Sequence, residues 1–413
     1  MEMLSDDMAA SGANGRYIGI KENTVMETRE IQPRLFRMGC LAFFFSGVCA
    51  MSSGVVVSLL QEYYGFAYGM TGTLLSLMNV GNLVAGFASG VLPAKIGTRN
   101  TVLMLGAGYA LGYFFMTTGG FLWLLALAFL MLGLAKGCAT NNCTVLVGNN
   151  SKSRTQGMNV MHASYACGAL LGPILITAAL NADRFAPMYA LCGVGAVFWT
   201  VFALVGLPGK QACAQNEKKQ ESDWSFLREK KFWLITGLIF CQNAAETSVT
   251  GWVVTYYKGN GILSGTLANY TMTIMWGATL IARLLIAFVF PIKDRFKALA
   301  IMGCGCAALY ALLVFSDTGF LAVVMLFAFS FAMAGVNPTG VAGAGNMLNA
   351  RSMGIMLPTA GFGAILMPWV IGQVAEGVSL RAGMFCNVIP CVGIFVFSLL
   401  CRRVERRSAR EQA

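Results

Sequence analysis

Short polar connections divide the chain into twelve predominantly apolar runs, at 36–60, 70–91, 100–118, 121–147, 156–180, 187–207, 231–257, 265–290, 298–316, 319–345, 353–375 and 382–401. About 20 residues rise roughly 30 Å as an α-helix, the thickness of a bilayer's hydrocarbon layer. Within that layer a lone segment satisfies all its N–H and C=O groups only as a helix. Barrel strands are half as long and alternate apolar with polar residues. The pattern therefore predicts an all-α integral membrane protein of twelve transmembrane helices. A composition of 57% hydrophobic and 11% charged residues lies outside the range of soluble domains.

A formal charge of +11 raises the question of nucleic acid, and the placement of the charges answers it. With both termini on one side, 24 of the 29 basic residues fall in loops and tails on that side. Only Arg184, Lys258 and Arg381 fall on the other, while Lys136 and Arg283 lie inside apolar runs. This bias predicts cytoplasmic termini in an inner or plasma membrane, with anionic lipid headgroups rather than nucleic acid as neighbours. Of the thirteen cysteines, nearly all lie in apolar runs without metal-ligand spacing, so they read as small packing residues, with no metal site and no cofactor.

The longest polar gap sets the domain organisation. Residues 208–230 read as a cytoplasmic linker between six-helix bundles at 35–207 and 231–401, flanked by a cytoplasmic arm at 1–34 and a tail at 402–413. The halves echo one another. Tyr63-Tyr64 and Gly72-Thr73-Leu74 recur 193 residues later as Tyr256-Tyr257 and Gly265-Thr266-Leu267. Gly168-Ala169-Leu170-Leu171-Gly172-Pro173 recurs 195 residues later as Gly363-Ala364-Ile365-Leu366-Met367-Pro368. Asn141 is echoed by Asn337. A shared offset points to a repeated six-helix unit, an architecture of secondary transporters.

The loop of 90–99, with Gly90, Pro93, Lys95, Gly97 and Arg99, resembles the loop between spans two and three of the major facilitator superfamily, with Ala94 where an acid is usual. The fifth run around His162, the seventh around Ala245-Glu246 and the eighth around Arg283 resemble the fucose and glucose/galactose permease branch. The resemblance implies the major facilitator fold, two pseudo-symmetric bundles around one central site. It also implies a sugar-like solute. The branch's membrane carboxylates in spans one and four align with Gly54 and Gly137, so its proton-coupling scheme does not carry over.

The candidate site begins at Glu246, the one acid deep within an apolar run. A carboxylate there costs at least about 2.5 kcal/mol, so it needs a partner or a wet cavity. Gln242, Asn243 and Thr250 share its helical face. Lys136, Arg283 and His162, the only histidine, reach similar depth, and Trp276, Asn141 and Asn337 complete the candidate set. Each has a structural alternative: Glu246 paired with Lys136 or Arg283, Arg283 as a latch between helices, His162 as a core histidine, Trp276 as packing. Ser76, Asn79 and Asn82 read as glue between helices.

The functional expectation is a secondary active transporter, a monomer working by alternating access on a small polar solute, sugar-like or an organic anion, with H⁺ or Na⁺ as candidate coupling ion. The alternative is an uncoupled facilitator or an exporter of the same fold. No paired carboxylates, serine elbow or metal-spaced histidines support an enzyme.

Overall fold

The computed structural model describes residues 32–151, 154–205, 225–289, 292, 294–344, 347 and 350–411. Residues 1–31 of the expected arm and 208–224 of the expected linker lie outside the described residues. Helices account for almost all the rest: α1 (Pro33–Met51), α2 (Ser53–Tyr64), α3 (Tyr68–Ile96), α4 (Thr98–Gly106), α5 (Gly108–Phe115), α6 (Leu122–Asn149), α7 (Arg154–Ala179) and α8 (Ala186–Leu204). After a 3₁₀ turn at Ser225–Arg228 come α9 (Lys230–Gly259), α10 (Gly265–Phe288), α11 (Arg295–Val314), α12 (Gly319–Met333), α13 (Val336–Ala342), α14 (Ala350–Gly377), α15 (Leu380–Phe385) and α16 (Val388–Glu411). Each of the twelve apolar runs is helical over most of its described residues. Nine helical stretches among the described residues are long and apolar enough to cross a membrane. The other three are α4 with α5, broken at Ala107, and α9 and α10, which carry Glu246 and Arg283 with their amide and hydroxyl neighbours.

Besides α4–α5, three rods are broken rather than straight. Between α1 and α2, Ser52 and Ser53 turn their hydroxyls back onto Val48 O (2.7 Å) and Ala50 O (3.0 Å), a competition that bends helices. Between α12 and α13 the chain steps through Ala334 and Gly335, just before Pro338. Asn387, at the α15–α16 break, donates to Ala245 O of α9 at 3.1 Å. The last helix runs on past its apolar run to Glu411, pinned by Arg402 to Asp294 (3.2 Å) and by Glu405 to Lys231 (3.4 Å). Asp294 also caps α11 through the Lys297 N–H, and that bond, with Arg402, holds its carboxyl below the usual range.

The packing repeats as the sequence does. α1 packs on α7 and α8, and α9 on α14 and α16; α3 packs on α6, and α10 on α12; α5 packs on α8, and α11 on α16. The repeated glycines make matching contacts: Gly168 of α7 lies against Phe44 O of α1, and Gly363 of α14 against Phe240 O of α9. The repeated tyrosines do not make matching bonds: Tyr64 donates to Met116 O (3.3 Å), whereas its counterpart Tyr257 donates to Ala322 O (2.9 Å). Between α1–α8 and α9–α16 the contacts run through α2 with α9, α3 with α14, and α7 with α10.

A side chain at Gly363 would meet a helix backbone that cannot yield. Gly363→Val is expected to cost about 1–3 kcal/mol by overpacking. Gly193→Val, on a helix face where an added Cβ meets nothing within 4 Å, should stay within about 0.5 kcal/mol. Thermal unfolding of the two purified variants checks the difference.

Candidate functional site: a polar cavity between the two sets of helices

α9 stays helical through its polar interruption because its amides bond sideways. Gln242, 1% exposed, donates through Nε2 to Glu246 Oε2 one turn along and accepts from Asn337 Nδ2 at 2.7 Å. Thr250 continues the stripe, its hydroxyl on Glu246 O at 2.8 Å. Glu246 is thus held by an amide relay reaching back to the broken α12–α13 rod. The structural alternative, an ion pair of Glu246 with Lys136 or Arg283, does not form among the described residues. Among the described residues the ion pairs, Lys231–Glu405, Lys258–Glu62, Arg381–Asp317 and Arg402–Asp294, all lie near the ends of the bundle.

Two adjoining cavities open beside this stripe. The inner, about 200 Å³, is walled by Ser53, Lys136 and Tyr165 from one set of helices and by Glu246, Thr250 and Trp276 from the other. The outer, about 570 Å³, lies between α3 and α6 on one side and α9 and α14 on the other, and includes Asn82, Asn141 and Asn243. Asn79, Lys136 and Thr247 wall both. Glu246 lies within electrostatic reach of Lys136, Tyr165 and Cys306. Lys136 Nζ has no hydrogen bond or ion pair among the described residues. Trp276, packed edge to face on Tyr165 at 6.3 Å, has an indole N–H that is buried without an acceptor among the described residues.

The structure therefore places Glu246, Lys136, Trp276, Asn141 and Asn243 on the walls of these adjoining cavities, while Gln242 and Asn337 are not wall residues and act through the relay onto Glu246. Asn141 also ties α6 to Gly86 O of α3 at 3.2 Å. Arg283 and His162 are not among the cavity walls. Arg283 donates through Nε to Ala334 O, 3.3 Å away at the α12–α13 break, which is the latch geometry. His162 packs its ring edge to face on Phe43 at 5.7 Å, within reach of the Arg283 charge. The second-run stripe needs correction. Only Ser76 acts as glue, donating to Ile365 O at 2.7 Å, while Asn79 turns to Leu75 O of its own helix and, with Asn82, faces the cavities. Tyr165 and Thr247 were missed; each sits on the same helical face as a recognised candidate, which was the available signal.

Gly54 and Gly137 have a structural reason for bearing no carboxylate. Gly54 lies against Thr250 O, across the two sets, and a Cβ at Gly137 would come 2.8 Å from the Ala85 Cβ. Both are points where helix backbones nearly touch.

Among the described residues the cavities are closed at one end only. Polar contacts between the two sets lie toward the end opposite the one where α1 begins and α16 finishes. These are Lys258 with Glu62 (2.9 Å), Gly69 N to Glu376 Oε2 (2.9 Å), Ser76 to Ile365 O (2.7 Å) and Thr273 to Leu170 O (3.1 Å). Gly72 and Gly372 bring α3 and α14 together there. Toward the termini the outer cavity ends at exposed Phe87 and Leu357.

The relay carries a stability prediction. Asn337→Ala leaves the buried Gln242 Oε1 without its donor, expected to cost about 1–3 kcal/mol. Thermal melting of the purified variant measures the loss.

Comparison with known proteins agrees with this architecture. The chain is 22% identical to an uncharacterised MFS-type transporter of Yersinia pestis over 372 residues, 88% of this chain and 95% of that one. The fold matches crystal structures of the nucleoside transporter NupG (TM-score 0.70, 14% identity, 91% of this chain and 99% of that one). It also matches a bacterial homologue of the human lysosomal transporter Spinster, inward-facing and occupied (TM-score 0.68, 11% identity, 91% and 98%). The Major Facilitator Superfamily model matches residues 39–357, and the chain, a multi-pass membrane protein of a transporter rather than an enzyme family, belongs to that superfamily.

Proposed function

We propose that the chain is a secondary active transporter that carries a small polar solute by alternating access of one central site. The observation that supports this most is the polar cavity walled by both sets of helices and closed at one end by contacts between them. The charge bias makes the termini end cytoplasmic, so the arrangement corresponds to an inward-facing carrier in a bacterial plasma membrane. The six-helix units are 35–207 and 231–401, and rocking of one against the other would break the far-end contacts and expose the same cavity to the opposite side.

Asn79, Asn82, Asn141 and Asn243 offer donors and acceptors to a hydroxylated or anionic solute, in keeping with the resemblance to sugar permeases and with a nucleoside transporter among the structural neighbours. Glu246 is the coupling candidate, and H⁺ is favoured over Na⁺ because a carboxylate held by a single amide can accept a proton without losing its place. Arg283 supports the α12–α13 break rather than the solute.

A thermal-shift screen of the purified protein against sugars, nucleosides and organic acids identifies the solute, and counterflow of that labelled solute in vesicles tests the carrier. Exchange without an ion gradient, lost on cross-linking Glu62→Cys to Lys258→Cys across the far end, is expected. A solute that binds without crossing would overturn the reading.

A further inference from the structure

Glu246 and Lys136 wall one cavity, lie within electrostatic reach of each other, and yet do not pair. Their situations differ. The carboxylate already accepts from Gln242, whereas the ammonium has no partner among the described residues. The Trp276 N–H beside the same cavity is buried without an acceptor among the described residues. The charge left unanswered is therefore the Lys136 ammonium, and what satisfies a cation is an anion with several acceptor lone pairs, above all a carboxylate.

Net charge decides what must accompany it. The empty cavity holds one cation and one anion. A carboxylate entering alone would leave a net negative charge in a space about to be sealed from water, an expensive arrangement. A proton on Glu246 restores neutrality and removes the repulsion between the two carboxylates. Glu246 walls only the inner cavity, whose about 200 Å³ lies below the roughly 300–1,000 Å³ of drug-sized sites, so an anion seated between Lys136 and Glu246 is small.

We infer that the solute is a small monocarboxylate, bound through its carboxylate to Lys136 and carried together with one proton on Glu246, so that the loaded and empty carriers have the same charge. This rests on the carrier reading and deepens it. The proton comes from water on the side of entry, converts the Glu246 carboxylate to the acid, and returns to water on the side of exit; no other bond changes. Around α9, the titratable groups facing Glu246 are Lys136, Tyr165 and Cys306. Arg283 is turned to Ala334, and Glu62, Lys258 and Glu376 lie at the far end. Cys391 and Cys401 are buried on α16.

The test measures binding to the purified full chain by calorimetry. The probes are lactate, glycerate and gluconate, each against a neutral match: propane-1,2-diol, glycerol and glucose. At least one carboxylate is expected to bind, more tightly than its neutral match by about tenfold or more, and Lys136→Met to weaken it by a similar factor. Lys136→Arg, which keeps the charge, should retain most of the binding, separating loss of the cation from loss of the fold. Carboxylate affinity should fall as pH rises, because binding takes up a proton, and Glu246→Gln should remove that dependence. In vesicles, uptake should acidify the lumen and be unaffected by an imposed membrane potential.

Tighter binding of a neutral match, binding indifferent to Lys136→Met, affinity that rises with pH, or no binding by any probe would each overturn the inference. A neutral solute that nonetheless shows counterflow would leave the carrier standing and remove only the anion. Absence of counterflow for a carboxylate that binds would remove the carrier.

Discussion

A charged group among apolar helices must be answered by another polar group or by water, and that requirement organises this molecule. Glu246 at mid-membrane depth imposes it most strongly. Its answer is local on one side, where Gln242 and Asn337 hold the carboxylate, and open on the other, where a cavity separates it from Lys136. A pair in contact would have been a structural tie closing the space. Held apart, the two charges leave a polar gap between the two sets of helices.

The scaffold around that gap follows from steric rather than polar constraints. Lipid offers no hydrophobic drive for helices to associate, so close approach depends on small residues. Gly168 and Gly363 let α7 and α14 lie directly on the backbones of α1 and α9, and this contact, made once in each set, is the structural form of the internal repeat. Gly54, Gly72 and Gly372 do the same across the two sets at the closed end.

Much of this was legible in the sequence because it depends on periodicities. Helix length against membrane thickness gave the apolar rods, the common offset predicted the matching glycine contacts, and i, i+4 spacing put Gln242 and Thr250 beside Glu246. The rest depended on where helices break. Arg283 looked like a cavity residue, but the step at Ala334 and Gly335 leaves a free carbonyl that takes its guanidinium. The same break brings Asn337 to Gln242, a contact 95 residues apart that no local pattern encodes. Asn79 and Asn82 were misread for the converse reason: an amide stripe looks alike whether it meets a helix or a void, and only packing tells which.

The account stands or falls on water reaching the polar stripe from the end that carries the termini. Thr247, on the wall of both cavities, offers the most direct probe. In a chain whose thirteen native cysteines are replaced by alanine or serine, Thr247→Cys should react with a membrane-impermeant thiol reagent applied to the termini side of sealed vesicles. Val392→Cys, on an outward helix face, should not. Reaction at Val392 with none at Thr247 would mean that the stripe is dry, and would contradict a solute pathway between the two sets of helices.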